Sequence, residues 1–323
     1  MKKNIAIFGA TGVVGRETLK MISEYHLNDN HFFLFASNKD SKRRLSIGRK
    51  KYDVCPTDLG ILAKTKYDYA LLCTREEVSK LIAPILVETG CVVIDFSSYY
   101  RKDFPIIVPE INFCEAKGNL LCNPNCSTAG AVMALHNIHK LFGLKEIVYS
   151  TYQAVSGAGK LALDDMKTKK RERLKSFTYP ICNNLIPQIG KLDEKGFSTE
   201  ENKMIFETRK ILGDKNIKIS ATCVRVPIDI CHSESIHFKT RKNATLRQIR
   251  DATKNSENVK LFDKDPDFPM PYFCRGQNAV LVGRIRESFD KNSFDIFICS
   301  DNLRKGASQN GVQILKALIE RNK

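Results

Sequence analysis

At 323 residues and 42% apolar side chains, the chain can bury a large core and has the length of about two domains, and no run of about 18 apolar residues argues for a membrane span or a membrane partner. A net charge of +16 raises nucleic acid as a partner, yet the basic residues are dispersed, and the densest run, Lys167 to Lys175, has no interleaved aromatics to stack on bases; a solvated helix face, or a field drawing in small anions, is expected instead. Eleven cysteines in an odd, scattered set with no CxxC pair read as free thiols, against a disulfide framework and against structural zinc, so no metal is expected.

Met1-Lys2-Lys3-Asn4 runs straight into a strand at Asn4 to Phe8 instead of a signal segment, and a soluble cytoplasmic protein is expected. The strand enters Gly9-Ala10-Thr11-Gly12-Val13-Val14-Gly15 and then a helix from Arg16 to Tyr25. Glycines between a strand and a helix permit a tight turn and close approach of a pyrophosphate to the helix N-terminus, although the spacing is GxxGxxG and not GxGxxG.

A second strand, Phe32 to Ala36, ends where a dinucleotide site reads the adenosine ribose. An NAD site usually offers an acid there. Ser37, Asn38 and Lys39, followed by Lys42, Arg43 and Arg44, suit a 2′-phosphate and favour NADP, with Asp40 weighing against.

Strands at Tyr69 to Cys73 and Cys91 to Asp95 flank a helix, Glu76 to Thr89, and Leu120 to Cys122 is the last strand of this half. The alternation predicts a parallel, Rossmann-like sheet with helices on both faces. Asn123-Pro124-Asn125-Cys126-Ser127-Thr128 then forms a tight turn into a helix that stops at Gly143. A cysteine there sits where unpaired backbone N–H groups favour an anion, a candidate nucleophile; the alternative is a small buried residue beside a cap supplied by Ser127 or Thr128.

From Glu146 the texture changes. Glu146 to Val155, Lys218 to Ile228, Ser235 to Thr240, Ala279 to Arg286 and Ser293 to Ser300 are β-rich runs, predicting a largely antiparallel sheet with one face on helices and one free to pair with a second subunit. Gln153 to Gly159 ends a strand in a glycine-bearing loop. Glu200 and Lys203 stand three apart on a helix running to Leu212, where a surface ion pair is the plain reading. Arg225 and His232, seven apart at the end of a strand, are fit to hold a carboxylate and to move a proton. A last helix spans Gly306 to Arg321. The expected division is a nucleotide domain, 1–125 with 303–323, and a catalytic and dimerisation domain of α+β type, 126–302.

In this order these stretches resemble the aspartate-β-semialdehyde dehydrogenase family nearly end to end. Further matches are Ser97-Ser98 with Arg101, Val108 to Asn112, Glu207 to Leu212, and Gly306-Ala307 with Asn310. The resemblance implies Cys126 as nucleophile, His232 as general acid/base, Gln153 to orient the substrate and Asn125 beside the nucleophile. It implies Arg225 for the substrate α-carboxylate, Glu200 for its amino group, and Arg101 and Lys203 for phosphate. NADP would be held by Gly9, Ala10, Thr11, Gly12, Val13 and Val14, with Ser37, Lys39, Ser156, Gly157 and Asn310. Phe96 departs from the family, which often has Asn there, and the usual loop arginine is Lys39.

The implied reaction is NADPH-dependent reductive dephosphorylation of β-aspartyl phosphate to aspartate β-semialdehyde through a cysteine thioester, in amino-acid biosynthesis, by a homodimer or homotetramer whose partners are its small-molecule substrates. N-acetyl-γ-glutamyl-phosphate reductase performs the same reaction on an acylated substrate, and Glu200, a partner for a free amino group, argues against it. A non-catalytic nucleotide-binding relative would lack the nucleophile or its base.

Overall fold

The computed structural model describes residues 2–321, which divide into two units, 2–124 with 307–321 and 125–306. In the first unit the strands are β1 (Asn4–Phe8), β2 (His31–Ala36), β3 (Arg44–Ile47), β4 (Lys50–Pro56), β5 (Tyr69–Leu72), β6 (Val92–Asp95) and β7 (Leu120–Cys122), and the helices are α1 (Val13–Glu24), α2 (Leu59–Leu62), α3 (Glu76–Glu88) and α4 (Pro109–Asn112). The sheet order is β3-β4-β2-β1-β5-β6-β7, parallel throughout except for the β3 edge. Ile5, Ala6, Ile7 and Phe8 are all fully buried, because a central parallel strand is covered on both faces and so reads as an unbroken apolar run.

Two features here were outside the sequence reading. The cationic segment after β2 is no simple loop: Arg44 opens the β3–β4 hairpin, and its Nε lies 2.9 Å from Asp53. Pro84 stands inside α3, where it cannot donate to the carbonyl of Lys80. The Tyr100 hydroxyl donates to that carbonyl instead, at 3.3 Å.

The second unit begins with α5 (Cys126–Phe142) and continues through β8 (Leu144–Gln153), α6 (Lys160–Asp165), α7 (Thr199–Ile211), β9 (Lys218–Arg225), β10 (His232–Thr240), α8 (Leu246–Lys254), β11 (Val259–Leu261), α9 (Pro271–Cys274), β12 (Val280–Glu287) and β13 (Ser293–Ser300). Its sheet order is β11-β12-β13-β10-β8-β9. The three central pairings are antiparallel, as expected; at the edges β11 and β9 run parallel to their neighbours. Alternation in β8 buries Ile147, Tyr149, Thr151 and Gln153 on the face covered by α5, α7 and α8, and turns Val148 and Tyr152 outward, 44% and 40% exposed.

The Lys167 to Lys175 run is not a helix face. It is an exposed segment with a single 3-10 turn, Arg171–Arg173, beyond α6, and its end is held by the buried Asp165 carboxylate, which accepts the N–H groups of Lys175, Ser176 and Phe177 at 2.8, 2.8 and 3.0 Å. Burial alone would raise Asp165, but those three donors outweigh it and hold the carboxyl below its ordinary range.

After a π-helical turn, α10 (Gln309–Arg321) belongs to the first unit. Its Gly311 packs on Phe96 so closely that a Cβ would lie 2.1 Å from the ring, so the departure at Phe96 is matched by a residue with no side chain. No described helix is long and apolar enough to cross a membrane.

Candidate active site

Strand register builds the site. Parallel β8 and β9 end side by side with Gln153 opposite Arg225, and antiparallel β10 starts at the same edge with Ser233 opposite Tyr152, so His232 emerges next to both. The N-terminus of α5 supplies Cys126, whose Sγ lies 3.1 Å from His232 Nε2.

Asn125, and neither Ser127 nor Thr128, is the cap of α5. Its Oδ1 accepts the N–H groups of Ser127 and Thr128 at 3.0 and 3.1 Å, which sets Cys126 as the first helical residue. Asn125 is itself fixed from two sides by α7: its Nδ2 donates to Glu200 Oε1 at 2.8 Å, and its N–H donates to Glu207 Oε2 at 2.7 Å. Glu200 and Glu207 are buried two turns apart on one face of that helix, and Lys203 Nζ is 3.6 Å from the remaining oxygen of Glu200. The pair Glu200–Lys203 is therefore attached to the turn that carries the cysteine, and only its lysine reaches toward solvent.

The Ala154 peptide organises the other side. Its N–H donates to His232 Nδ1 at 2.9 Å, and its carbonyl accepts from Arg225 Nη1 at 2.6 Å. With Nδ1 an acceptor, the neutral imidazole carries its proton on Nε2, and it meets the cysteine sulfur as a donor. Burial and the Arg225 guanidinium push the imidazole down to about 3, which keeps the ring neutral. Burial also lowers Arg225, against the pull of Glu200.

Gly157 lies against these groups: a Cβ there would fall 3.1 Å from Arg225 Nη1 and 3.5 Å from His232 Nε2. A Cβ on Gly306 would be 3.0 Å from that of Cys126. Gln153 is buried, with Nε2 donating to Thr151 at 3.2 Å. Ser156 Oγ accepts from Asn302 Nδ2 at 2.9 Å, and Asn302 Oδ1 accepts the N–H of Cys231, the residue before His232.

Sequence reasoning did not single out Asn302 or the carboxylate role of Glu207. The seven-residue spacing from Glu200 was a signal for Glu207. Nothing local marks Asn302, whose partners are 71 and 146 residues away.

In the first unit the glycine loop has the form a pyrophosphate needs. Gly9 has φ +73° and a Cβ there would strike Cys73 O at 2.3 Å; one on Gly15 would strike Gly9 O at 2.2 Å. Gly12 caps α1 with no side-chain acceptor, and no acid occupies the first turn, so the helix start is uncommitted to a resident anion. Ala10 N–H donates to Phe35 O at 3.1 Å, tying the loop to β2, after which Ser37 and Lys39 follow.

Among the neighbouring cations, Arg43 lies 3.5 Å from Asp40 and Arg44 pairs with Asp53, whereas Lys39 and Lys42 have no ion pair among the described residues. Arg101 is buried with Nη2 donating to Phe96 O at 2.9 Å, and Asn310 Nδ2 donates to Ile107 O and Asn123 Oδ1, both at 2.8 Å.

Comparison with known proteins gives the same two parts. Residues 4–118 match the semialdehyde dehydrogenase NAD binding domain, and residues 135–305 the semialdehyde dehydrogenase dimerisation domain. The chain is 39% identical to aspartate-semialdehyde dehydrogenase of Aquifex aeolicus over 99% of both chains, and 36% identical to that of Bacillus subtilis over 99% and 98%. A solved structure of aspartate semialdehyde dehydrogenase II of Vibrio cholerae, complexed with ASA, superposes with a TM-score of 0.92 at 35% identity over 99% of each chain.

Proposed function

The chain belongs to the aspartate-semialdehyde dehydrogenase family, and from that premise we propose how its own residues carry the reaction of an NADP-dependent phosphorylating aldehyde dehydrogenase. The observation that carries the reading is the contact of Cys126 Sγ with His232 Nε2 at the start of α5, with Nδ1 already committed to the Ala154 N–H.

In the biosynthetic direction the Cys126 thiolate attacks the acyl carbon of β-aspartyl phosphate. The bond to phosphate breaks, and a thioester remains on the sulfur. When bound, NADPH supplies the hydride that reduces this thioester. The tetrahedral oxyanion then collapses to the aldehyde and returns the thiolate. Neither collapse requires a net proton from the ring.

The Cys126 proton leaves to solvent before the attack, the thiolate being favoured at the start of α5, and His232 then donates from Nε2 first to the sulfur and then to the oxyanion. A donor aimed at a developing oxyanion contributes about 3 kcal/mol.

Arg225, pre-aimed by the Ala154 carbonyl, holds the substrate α-carboxylate as a fork, with Gln153 beside it in register. Glu200 receives the amino group, which supports the aspartyl substrate over the acylated one. Lys203 and Arg101 receive phosphate. The glycine loop, Gly9 to Val14, holds the pyrophosphate, and Lys39 with Lys42 suits the 2′-phosphate of NADP. Lys39→Ala should raise the KM for NADP and leave that for NAD unchanged; equal effects on both would remove it from that role.

The outward face of the second sheet, with Val148 and Tyr152, supports a homodimer, which light scattering tests; a monomer at working concentration would refute it. Eleven free thiols suit a cytoplasmic location.

The central test is Cys126→Ala. Phosphate-dependent oxidation of the semialdehyde should fall by about 10,000-fold or more with NADPH binding intact, and mass spectrometry after incubation with the acyl phosphate should show an adduct on Cys126 of the parent alone. Substantial turnover by the alanine variant would refute the covalent route.

A further inference from the structure

Outside the reacting cluster, three cysteines that are remote in sequence converge in the second unit. The sulfurs of Cys231, Cys274 and Cys299 all lie within 4.8 Å of one another, and all three residues are fully buried. They arrive from different elements: Cys231 precedes β10, Cys274 ends α9, and Cys299 is near the end of β13.

The backbone around them is braced by the two residues that follow β13. Asp301 Oδ2 accepts the N–H of Gly276 at 2.8 Å, fixing the turn just after Cys274. Asn302 Oδ1 accepts the N–H of Cys231 at 2.9 Å. Cys231 itself has φ +81°, a conformation that costs a side-chain-bearing residue and persists only where its surroundings impose it. Held on both sides from the strand that carries Cys299, the three thiols form a preassembled set.

We propose that Cys231, Cys274 and Cys299 bind one soft metal ion, Cu(I), at a site separate from the catalytic cysteine. Thiols are soft ligands and select such ions. The trio offers three sulfurs among the apolar Leu281, Ile230, Phe262 and Phe273, with the Ser233 hydroxyl donating to Cys299 Sγ at 3.5 Å, and three thiols as the strong ligands suit a three-coordinate ion better than tetrahedral Zn(II). The metal would be anchored one residue from His232, so its arrival would bear on the residue that faces the nucleophile.

Cys126 and His232 present a second sulfur–nitrogen pair of ligand types, 3.1 Å apart, so the test uses the full-length Cys126→Ala chain to exclude it. The protein is titrated anaerobically with Cu(I) against a chromogenic Cu(I) chelator, and in parallel with Cd(II) as a spectroscopic substitute for Zn(II), following sulfur-to-metal absorption. The expected result is one Cu(I) per chain held against the chelator. Adding Cys274→Ala, or separately Cys299→Ala, should weaken it by about 100-fold, at least the loss that removing an outer partner of a metal ligand brings. Near-ultraviolet circular dichroism identifies any variant that has lost its fold, and the other then carries the comparison. Equal Cu(I) affinity with and without the trio, or tighter binding of Cd(II) than of Cu(I), would overturn the assignment.

Discussion

Gly157→Ala tests whether the Ala154 peptide and its glycine neighbour set the position of Arg225. The added methyl would lie 3.1 Å from Nη1, tighter than ordinary carbon contacts by a few tenths of an ångström, and 3.5 Å from His232 Nε2, which is ordinary contact. The guanidinium must therefore yield while the ring need not. Its 2.6 Å bond to the Ala154 carbonyl opposes that movement, so the shift is small and directed. A misplacement of 1 Å costs about 100-fold, and a third of that in distance scales to about 5-fold. Steady-state kinetics should show the semialdehyde KM raised by about that factor, with kcat and the KM for NADP little changed. The split between the two substrates carries the inference, because a glycine serving only the cofactor would move the nucleotide KM instead. An unchanged semialdehyde KM would refute the reasoning and leave Gly157 as loop geometry.

Two stability predictions follow from buried contacts. Gly311→Ala places a methyl 2.1 Å from the Phe96 ring and should cost about 2 kcal/mol in denaturant unfolding; Phe96→Ala in the same chain should relieve most of the penalty, and a strictly additive pair would refute the contact. Asp165→Asn removes a carboxylate that accepts three N–H groups and should cost about 2 kcal/mol at neutral pH. Because the folded carboxyl sits below the unfolded value near 3.8, its contribution is complete above that value and is lost as pH falls through the lower, folded one. The stability gap between parent and variant should therefore close in acid; a gap that persists there would point to shape and not charge.

Much of the fold was legible because its signals are local. Asn4 to Phe8 announces a strand covered on both faces, and Gly9 to Gly15 needs the turn that only glycines make. The β-rich runs after Glu146 foretell a sheet of mostly antiparallel strands. Local signals failed where a distant partner decides. Lys167 to Lys175 has the charge of a solvated helix, but only one 3-10 turn forms there, and the chain that follows is tied back to Asp165 instead of continuing as helix. Arg44, read as one of the cations that suit a 2′-phosphate, is drawn into a hairpin whose second strand supplies Asp53.

The site divides along the same line. Cys126, Arg225 and His232 were nameable because each is the kind of side chain the chemistry needs, and residue type is written in the sequence. How His232 acts was not, because that depends on which nitrogen is occupied, and the occupant is a backbone N–H. Any residue but proline at position 154 would supply that N–H, so the identity of Ala154 carries no trace of its part in fixing the tautomer. Asn302 and Glu207 are hidden for the same reason, since each uses a common side chain to satisfy one backbone N–H beside a reactive group. What register does for Gln153 and Arg225 these contacts do for the reacting atoms themselves: they turn residues competent for many reactions into a thiol and an imidazole that face each other in one protonation pattern.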